Sequence, residues 1–363
     1  MSEPADAAAG RRGCGALIGV MLLGVFGALA YAWLSYGLSL WSGALALGVL
    51  LLSLGTFARA SGRALSQRLM GAGTVLVLVP CLLRIVVVRG NEQTKLTALP
   101  QDSGPTWLSR IYPEPDGTLL MAGVLGATGS LRDPEAARFG EILAAAYERT
   151  NPDATMQPTP AIGTYLGQQG PSGFDTIVIR PPEQRVAADG AVIFLHGYAG
   201  SFYVYCWEMA QAASAANLLT LCPATGPRGV WWDDSGAEIV RLTMEYADSI
   251  GMNRVYLAGL SNGAAGASVL VSKFQRKLAG LVLISGGRAP APPPLPVLVV
   301  QGEKDLMMPA SHARAYASRG HEVTYHQVPG GHLVFLSDID RVRPAIARFL
   351  STLEKAATAP RTR

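Results

Sequence analysis

The chain has 363 residues, of which 49% are apolar and only 15% are charged. Charged residues usually make up about a quarter of a soluble domain, so this composition excludes a largely disordered chain and argues against an entirely soluble one. The formal charge of +4 does not predict a nucleic-acid partner, because several arginines border apolar segments and no recognised nucleic-acid module is present. The cysteines form no C-x-x-C pair, which excludes a zinc ribbon and a thioredoxin-like site.

Three apolar stretches predict a membrane region over residues 1–90. The predicted transmembrane helices cover about residues 13–34, 38–58 and 69–88. Each has about 20 residues, which is enough to cross a hydrocarbon core of about 30 Å. The third contains a single charged residue, Arg84, near its end. We expect this long side chain to extend to the headgroups.

The orientation of these helices is predicted by arginines that precede the first and separate the second from the third, namely Arg11, Arg12, Arg59, Arg63 and Arg68. Cytoplasmic loops carry the excess of positive charge, so residues 1–12 and 59–68 are predicted to be cytoplasmic. Everything after about residue 90 is then extracytoplasmic. Alternatively, the first stretch is a signal peptide cleaved after Ala28-Leu29-Ala30, which also leaves the large domain outside.

Residues 91–173 are predicted to be a linker and lead-in segment. Its polar start, residues 91–106, is typical of a tether. Asp133-Pro134-Glu135 has the pattern of an N-cap, a proline at the first helical position and an acid favoured by the helix dipole, which predicts a helix to about Arg149. Residues 151–173 are rich in proline and glycine, so no regular structure is predicted there.

Apolar strands and helices alternate in the second half of the chain. A strand is predicted over Phe174–Ile179, and the run Val192–Leu195 is typical of a strand buried on both faces. This alternation predicts an α/β domain over residues 174–354, with a mostly parallel sheet and helices on both of its faces. Residues 355–363 are predicted to be a disordered tail.

The motif Gly259-Leu260-Ser261-Asn262-Gly263 follows a predicted strand and begins a helix of small residues, which is the setting of a G-x-S-x-G nucleophile elbow. A serine nucleophile must project from a strained turn, and glycines two residues before and after it remove side chains that would collide. Asp305 and His332 follow later strands, so they should lie at the same edge of the sheet. The order Ser, Asp, His matches one known catalytic triad, with Glu303 as the alternative acid.

Over about residues 174–352 the chain resembles the α/β-hydrolase family, on these motifs and on His196-Gly197 after an early strand. The resemblance is to the carboxylesterase and dienelactone-hydrolase-like branches. It implies that the backbone N–H groups of Tyr198 and Asn262 form an oxyanion hole, and that neither a metal nor an organic cofactor is needed. His196 itself is expected to order its loop through hydrogen bonds.

The sequence also predicts whether a lid covers this site. The short, proline-rich segment 285–295 leaves no room for a helical lid. The site should therefore be open, or covered only by residues 107–170 or by the loop that contains Trp231 and Trp232. These two indoles are candidate substrate contacts, although packing is an equally good interpretation.

Cys206 and Cys222 are the only cysteines outside the membrane region. Disulfides persist in extracytoplasmic domains, and both residues are predicted near the catalytic edge, so we expect a bridge between them. Two separate buried thiols are the alternative.

These features predict a membrane-anchored serine hydrolase that cleaves a small-molecule or lipid-like carboxylic ester outside the cytoplasmic membrane. Three alternatives remain open. They are a serine peptidase of the prolyl-oligopeptidase type, an acyltransferase of the cell envelope, and a catalytically inactive membrane binding protein.

Overall fold

The structure is a computed structural model that describes residues 5–61, 64–100, 107–150, 153–182, 188–200 and 202–358. Its N-terminal part consists of α1 (Ala5–Tyr36), α2 (Leu40–Ala60) and α3 (Ser66–Val87). The three helices are long and apolar enough to cross a membrane, α1 from Cys14 onward. Of the arginines used to predict orientation, Arg63 lies outside the described residues.

The second helix packs against both of the others. At its contact with α3, a Cβ atom on Gly73 would lie 2.8 Å from the carbonyl oxygen of Gly48, and one on Gly48 would lie 3.0 Å from the carbonyl oxygen of Gly73. Small residues let membrane helices approach closely in this way. The three helices therefore form one packed bundle.

The rest of the chain is built on an eight-stranded sheet in the order β1-β2-β4-β3-β5-β6-β7-β8. The strands are β1 (Thr94–Leu99), β2 (Phe174–Ile179), β3 (Gly190–Leu195), β4 (Leu219–Pro223), β5 (Arg254–Leu260), β6 (Leu278–Ile284), β7 (Val297–Gly302) and β8 (Val323–Val328). The pairs β1–β2 and β2–β4 are antiparallel, and the remaining pairs are parallel. The predicted mostly parallel sheet is confirmed.

Helices cover both faces of this sheet. They are α4 (Glu114–Ala127), α5 (Phe139–Glu148), α6 (Ala161–Tyr165), α7 (Phe202–Ser214), α8 (Asp234–Ser249), α9 (Asn262–Phe274), α10 (Ala310–Ala317), α11 (Val334–Ser337) and α12 (Ile339–Thr358). Side chains alternate along a strand, so β3 contributes Val192 and Phe194 to the core under α7 and α12, and Ile193 and Leu195 to the core under α8 and α9. This explains the continuous apolar run in β3.

Several local predictions differ from the structure. Thr94–Leu99, predicted to be part of a tether, is strand β1, which pairs along its whole length with Phe174–Ile179; residues 101–106 lie outside the described part. Within the proline-rich stretch, Ala161–Tyr165 forms the short helix α6, and residues 151–152 are outside the described part. The last helix continues to Thr358, into the predicted tail, of which residues 359–363 are not described.

Two buried carboxylates at the start of α4 attach the lead-in segment to its neighbours. Asp116 accepts hydrogen bonds from the hydroxyl groups of Ser39 and Ser42, at the start of α2. Glu114 accepts a hydrogen bond of 2.9 Å from the phenol of Tyr147 in α5, and burial raises the pKa of Glu114. The three apolar helices and the α/β domain are thus joined through α4.

Arg84 does not extend to the headgroups as predicted. Its side chain is buried, with Nε donating to the carbonyl oxygen of Arg110 at 3.0 Å and a terminal nitrogen donating to that of Thr155 at 2.8 Å. The guanidinium also lies 5.4 Å from the ring centre of Trp41. The lead-in segment supplies these carbonyl acceptors, so the buried cation is paired within the protein.

Candidate active site

Ser261 occupies a strained turn between β5 and α9. Its φ of 54° and ψ of −117° lie in a region that non-glycine residues rarely adopt. Close backbone packing requires the flanking glycines. A Cβ atom on Gly263 would overlap the carbonyl oxygen of Leu195, and one on Gly259 would overlap the backbone of Gly263. The backbone of this motif therefore has the shape that a nucleophile elbow needs.

A series of hydrogen bonds joins Ser261 to His332 and Asp305. Nε2 of His332 lies 2.8 Å from Oγ of Ser261, and Nδ1 of His332 lies 2.9 Å from Oδ2 of Asp305. Since the carboxylate only accepts, Nδ1 carries the proton and Nε2 is free to accept one from the serine. Glu303 is exposed, and it is Asp305 that pairs with the histidine.

The buried carboxylate of Asp305 is held by further donors. Its Oδ1 accepts the backbone N–H groups of Met307 and Met308 at 2.9 and 2.8 Å, and its Oδ2 accepts the side-chain amide of Gln301 at 2.8 Å. These residues belong to the end of β7 and the loop that follows it. The orientation of the carboxylate towards His332 is thus determined by the backbone of its own loop and by the side chain of Gln301.

Sequence reasoning missed Asp133 and Glu135 at this site. The backbone N–H of His332 donates to Asp133, and the backbone N–H of Gly331 donates to Glu135 at 3.4 Å. Glu135 also accepts the hydroxyl of Ser337 at 2.9 Å. The Asp-Pro-Glu pattern predicts a helix start, whereas the α-helix begins only at Phe139. The lead-in segment therefore holds the histidine loop.

The predicted oxyanion groups lie beside the serine. Tyr198 lines the same cavity as Ser261, and a Cβ atom on the preceding Gly197 would lie 3.1 Å from the Cβ of Ser261. Asn262 is the first residue of α9, and its side-chain amide donates to the carbonyl oxygen of Arg228 at 2.7 Å. The first N–H groups of a helix have no partner within the helix, which leaves the backbone N–H of Asn262 without an acceptor in α9.

His196 orders its loop. Its Nδ1 lies 2.8 Å from the carbonyl oxygen of Gly197, and its Nε2 accepts the backbone N–H of Thr225 at 3.3 Å. Burial lowers the pKa of His196 from 6.5 to about 4, so the ring is neutral at pH 7. Its position between two loops agrees with the structural role expected from the sequence.

The candidate substrate contact by Trp231 is wrong. This indole is fully buried, donates to the carbonyl oxygen of His196 at 2.9 Å, and packs against Gly266. Trp232 is half-buried, and the guanidinium of Arg288 lies 4.6 Å from its ring centre. Neither indole is among the described residues that line the cavity next to Ser261. Packing, the other interpretation, is what the structure shows for Trp231.

Cys206 and Cys222 form a disulfide in the structure, with a Cα–Cα distance of 6.0 Å. The bridge connects α7 to the end of β4. Among the described residues, no group of three or more His, Cys, Asp or Glu side chains has an arrangement that could hold a metal ion.

An apolar cavity of about 80 Å³ opens at Ser261 and His332. A single water needs roughly 10–15 Å³, so the cavity can admit an organic group. Its cover comes from the lead-in segment, one of the alternatives expected from the sequence. The covering residues are Thr118, Met121, Ala122 and Leu125 of α4, together with Leu131, Phe139 and Tyr165.

No protein-family model and no curated protein matches this chain. Among solved structures, Est1E from Butyrivibrio proteoclasticus has a TM-score of 0.45 and 15% identity, over 51% of this chain and 96% of that one. A putative hydrolase from Agrobacterium vitis S4 has a TM-score of 0.40 and 17% identity, over 49% and 93%. The hyperthermophilic esterase from the archaeon Pyrobaculum calidifontis has a TM-score of 0.40 and 15% identity, over 52% and 83%.

The chain's own topology identifies its fold. The elbow after β5 and the loops after β7 and β8 meet at the carboxyl edge of a mostly parallel sheet, with Ser, Asp and His in that chain order. This arrangement is that of the α/β-hydrolase fold.

Proposed function

We propose that this α/β-hydrolase-fold chain is a membrane-anchored serine hydrolase that cleaves a carboxylic ester. The observation that carries the proposal is the hydrogen-bonded series of Asp305, His332 and Ser261 at the wall of an apolar cavity. Strained backbone at a half-buried serine is costly and persists where surrounding structure maintains it, typically at functional sites. A serine with only a turn-forming role would not need this geometry.

The proposed acylation begins when Oγ of Ser261 bonds to the acyl carbon and its proton passes to Nε2 of His332. The carbonyl electron pair moves onto oxygen, and the backbone N–H groups of Tyr198 and Asn262 stabilise that oxyanion. Each such donor is worth about 3–4 kcal/mol in comparable sites. The tetrahedral intermediate then collapses. The C–O bond to the alcohol breaks, and the leaving oxygen takes the proton from His332.

The proposed deacylation repeats these steps with water. Nε2 of His332 takes a proton from the water as its oxygen bonds to the acyl carbon. Collapse of this second intermediate releases the carboxylic acid and returns the proton to Oγ of Ser261. The carboxylate of Asp305 holds the tautomer of His332 and stabilises the imidazolium in both halves of the reaction.

Covalent labelling by a fluorophosphonate tests the nucleophile. Labelling and hydrolysis of p-nitrophenyl acetate should be lost in Ser261→Ala, with kcat falling by about 10⁴-fold or more. They should persist in Ser272→Ala, which changes an exposed serine of α9. Labelling of a folded Ser261→Ala protein would refute the assignment. A peptide amide cleaved faster than the ester would favour a peptidase, and acyl transfer to an alcohol in preference to water would favour an acyltransferase.

Two substitutions test which carboxylate orients His332. Asp305→Asn should lower kcat by about 10⁴-fold, because the histidine tautomer is lost, and Glu303→Gln should have little effect. The reverse order would make Glu303 the carboxylate that orients His332.

The disulfide between Cys206 and Cys222 supports an extracytoplasmic domain. A reporter that is active only outside the cytoplasm should work when fused after residue 100 and fail when fused within residues 60–67; the opposite pattern would reverse the topology.

A further inference from the structure

Exposed apolar side chains of the α/β domain and lead-in segment gather around the cavity. Beyond α3, eight large apolar side chains of the described residues are exposed. Six of them line the cavity or are next in sequence to a lining residue: Val124, Tyr165, Leu166, Tyr198, Leu306 and Met307. Single exposed apolar residues are ordinary on a protein surface, but several gathered at one cavity mark a site that meets another apolar surface. We call this group the apolar rim.

Helix α4 stands between the cavity and the membrane helix α1. Its cavity side is the stripe formed by Thr118, Met121, Ala122 and Leu125, which follow helical spacing. On the nearly opposite side of the helix, a Cβ atom on Gly123 would lie 4.0 Å from the rings of both Tyr31 and Tyr36, which belong to α1. Packed helix axes lie about 8–10 Å apart. The cavity is therefore about one helix diameter away from a membrane-spanning helix.

The composition of α4 suits a position at the bilayer surface. Residues 118–131 contain no charged side chain. From Thr118 onward the helix is uncharged on the side that lines the cavity, at Leu119 in the core and at Val124 of the apolar rim, which is 46% exposed. A helix in water usually has a polar outer side, whereas one that is apolar all round is buried in protein or lipid. The aromatic rings of Tyr31 and Tyr36 lie next to α4, and such rings favour the membrane interface.

We infer that the substrate is an acyl ester that resides in the bilayer, and that its hydrocarbon chain enters the cavity across the apolar rim. The inference rests on the proposed function and specifies its substrate class. The chain of the lipid would contact Met121, Leu125 and Phe139 while its carbonyl carbon lies at Ser261. The core that contains Ala32 of α1 and Leu119 of α4 is continuous with the core of the sheet, which keeps the cavity close to the bilayer.

The test compares two esters on the full chain in phosphatidylcholine vesicles. One is 4-methylumbelliferyl oleate dissolved in the bilayer, and the other is p-nitrophenyl acetate in the water. The measured quantity is the ratio of kcat/KM for the oleate to kcat/KM for the acetate. Val124→Glu and Leu306→Glu place a charge on the apolar rim. Ile250→Glu is the matched control, because Ile250 is exposed and lies just before β5, at the opposite edge of the sheet.

We expect the ratio to fall at least about tenfold in Val124→Glu and in Leu306→Glu, mainly through KM for the oleate, since a charge in contact with lipid is unfavourable. It should change less than about twofold in Ile250→Glu. If the wild-type chain cleaves the acetate but not the oleate, or if the ratio is insensitive to both rim variants, the bilayer substrate is refuted and the serine hydrolase stands. If fluorophosphonate does not label Ser261 and neither ester is cleaved, both proposals fail.

Discussion

Removing the carboxylate of Asp133 is expected to slow catalysis without unfolding the protein. Asp133 accepts two backbone N–H groups, one from His332 and one from Glu135, the latter at 2.8 Å. It therefore connects the lead-in segment to the loop that carries the proposed base. In Asp133→Ala, the loop loses this anchor, while the hydrogen bonds of His332 to Ser261 and Asp305 can still form in part of the population.

The expected loss of kcat follows from the strength of the hydrogen bond that the substitution removes. A hydrogen bond to a charged group contributes about 1.5–3 kcal/mol. If about 2 kcal/mol of the bond between His332 and Asp133 holds the imidazole in its reactive position, kcat falls roughly 30-fold, since each 1.36 kcal/mol is a factor of ten in rate. Asp133→Asn keeps a side-chain oxygen as acceptor but loses the charge, so it should have a smaller effect.

The assay is hydrolysis of p-nitrophenyl acetate, with kcat and KM determined separately and thermal unfolding recorded for each variant. Glu141→Ala is the control, because Glu141 is an exposed acid of the same segment, 70% exposed at its side chain. Its kcat should match the wild type. An unchanged kcat in Asp133→Ala, or an equal loss in Glu141→Ala, would refute the positioning role. A change confined to KM would also contradict it.

Three further predictions concern stability. Replacing both Cys206 and Cys222 by serine should lower the free energy of unfolding by about 3 kcal/mol, because the bridge links residues 16 apart; denaturant midpoints that are equal with and without the bridge would contradict this. Because the pKa of His196 is about 4 in the folded protein and 6.5 unfolded, only the unfolded state takes up this proton between those pH values. The free energy of unfolding should fall by up to about 3 kcal/mol as pH drops from 6.5 to 4. Urea unfolding of His196→Asn should show a smaller loss over the same pH range; an equal loss would refute this role of His196. Arg84→Leu should make the lead-in segment sensitive to protease by removing donors to two carbonyl groups, whereas Arg89→Leu, at an exposed site, should not; equal sensitivity would refute the role of Arg84.

Local patterns in the sequence determined much of the fold and the centre of the candidate site. Run length alone predicts the three apolar helices, because crossing a hydrocarbon core needs a minimum number of uncharged residues. The elbow is predictable because steric requirements between Gly259 and Gly263 act within five residues. Asp305 and His332 are predictable because parallel strands bring their carboxyl ends to one edge of the sheet.

Only the tertiary structure decided which distant groups meet. Strand β1 carries a weak apolar pattern, and its pairing with β2 supplies the hydrogen bonds that the isolated segment lacks. Asp133 binds a backbone N–H that is 199 residues away, and Arg84 and Trp231 turn inward to carbonyl acceptors from other segments. Buried polar groups must find partners, but the chain offers many, and which of them is within reach depends on how the whole molecule packs.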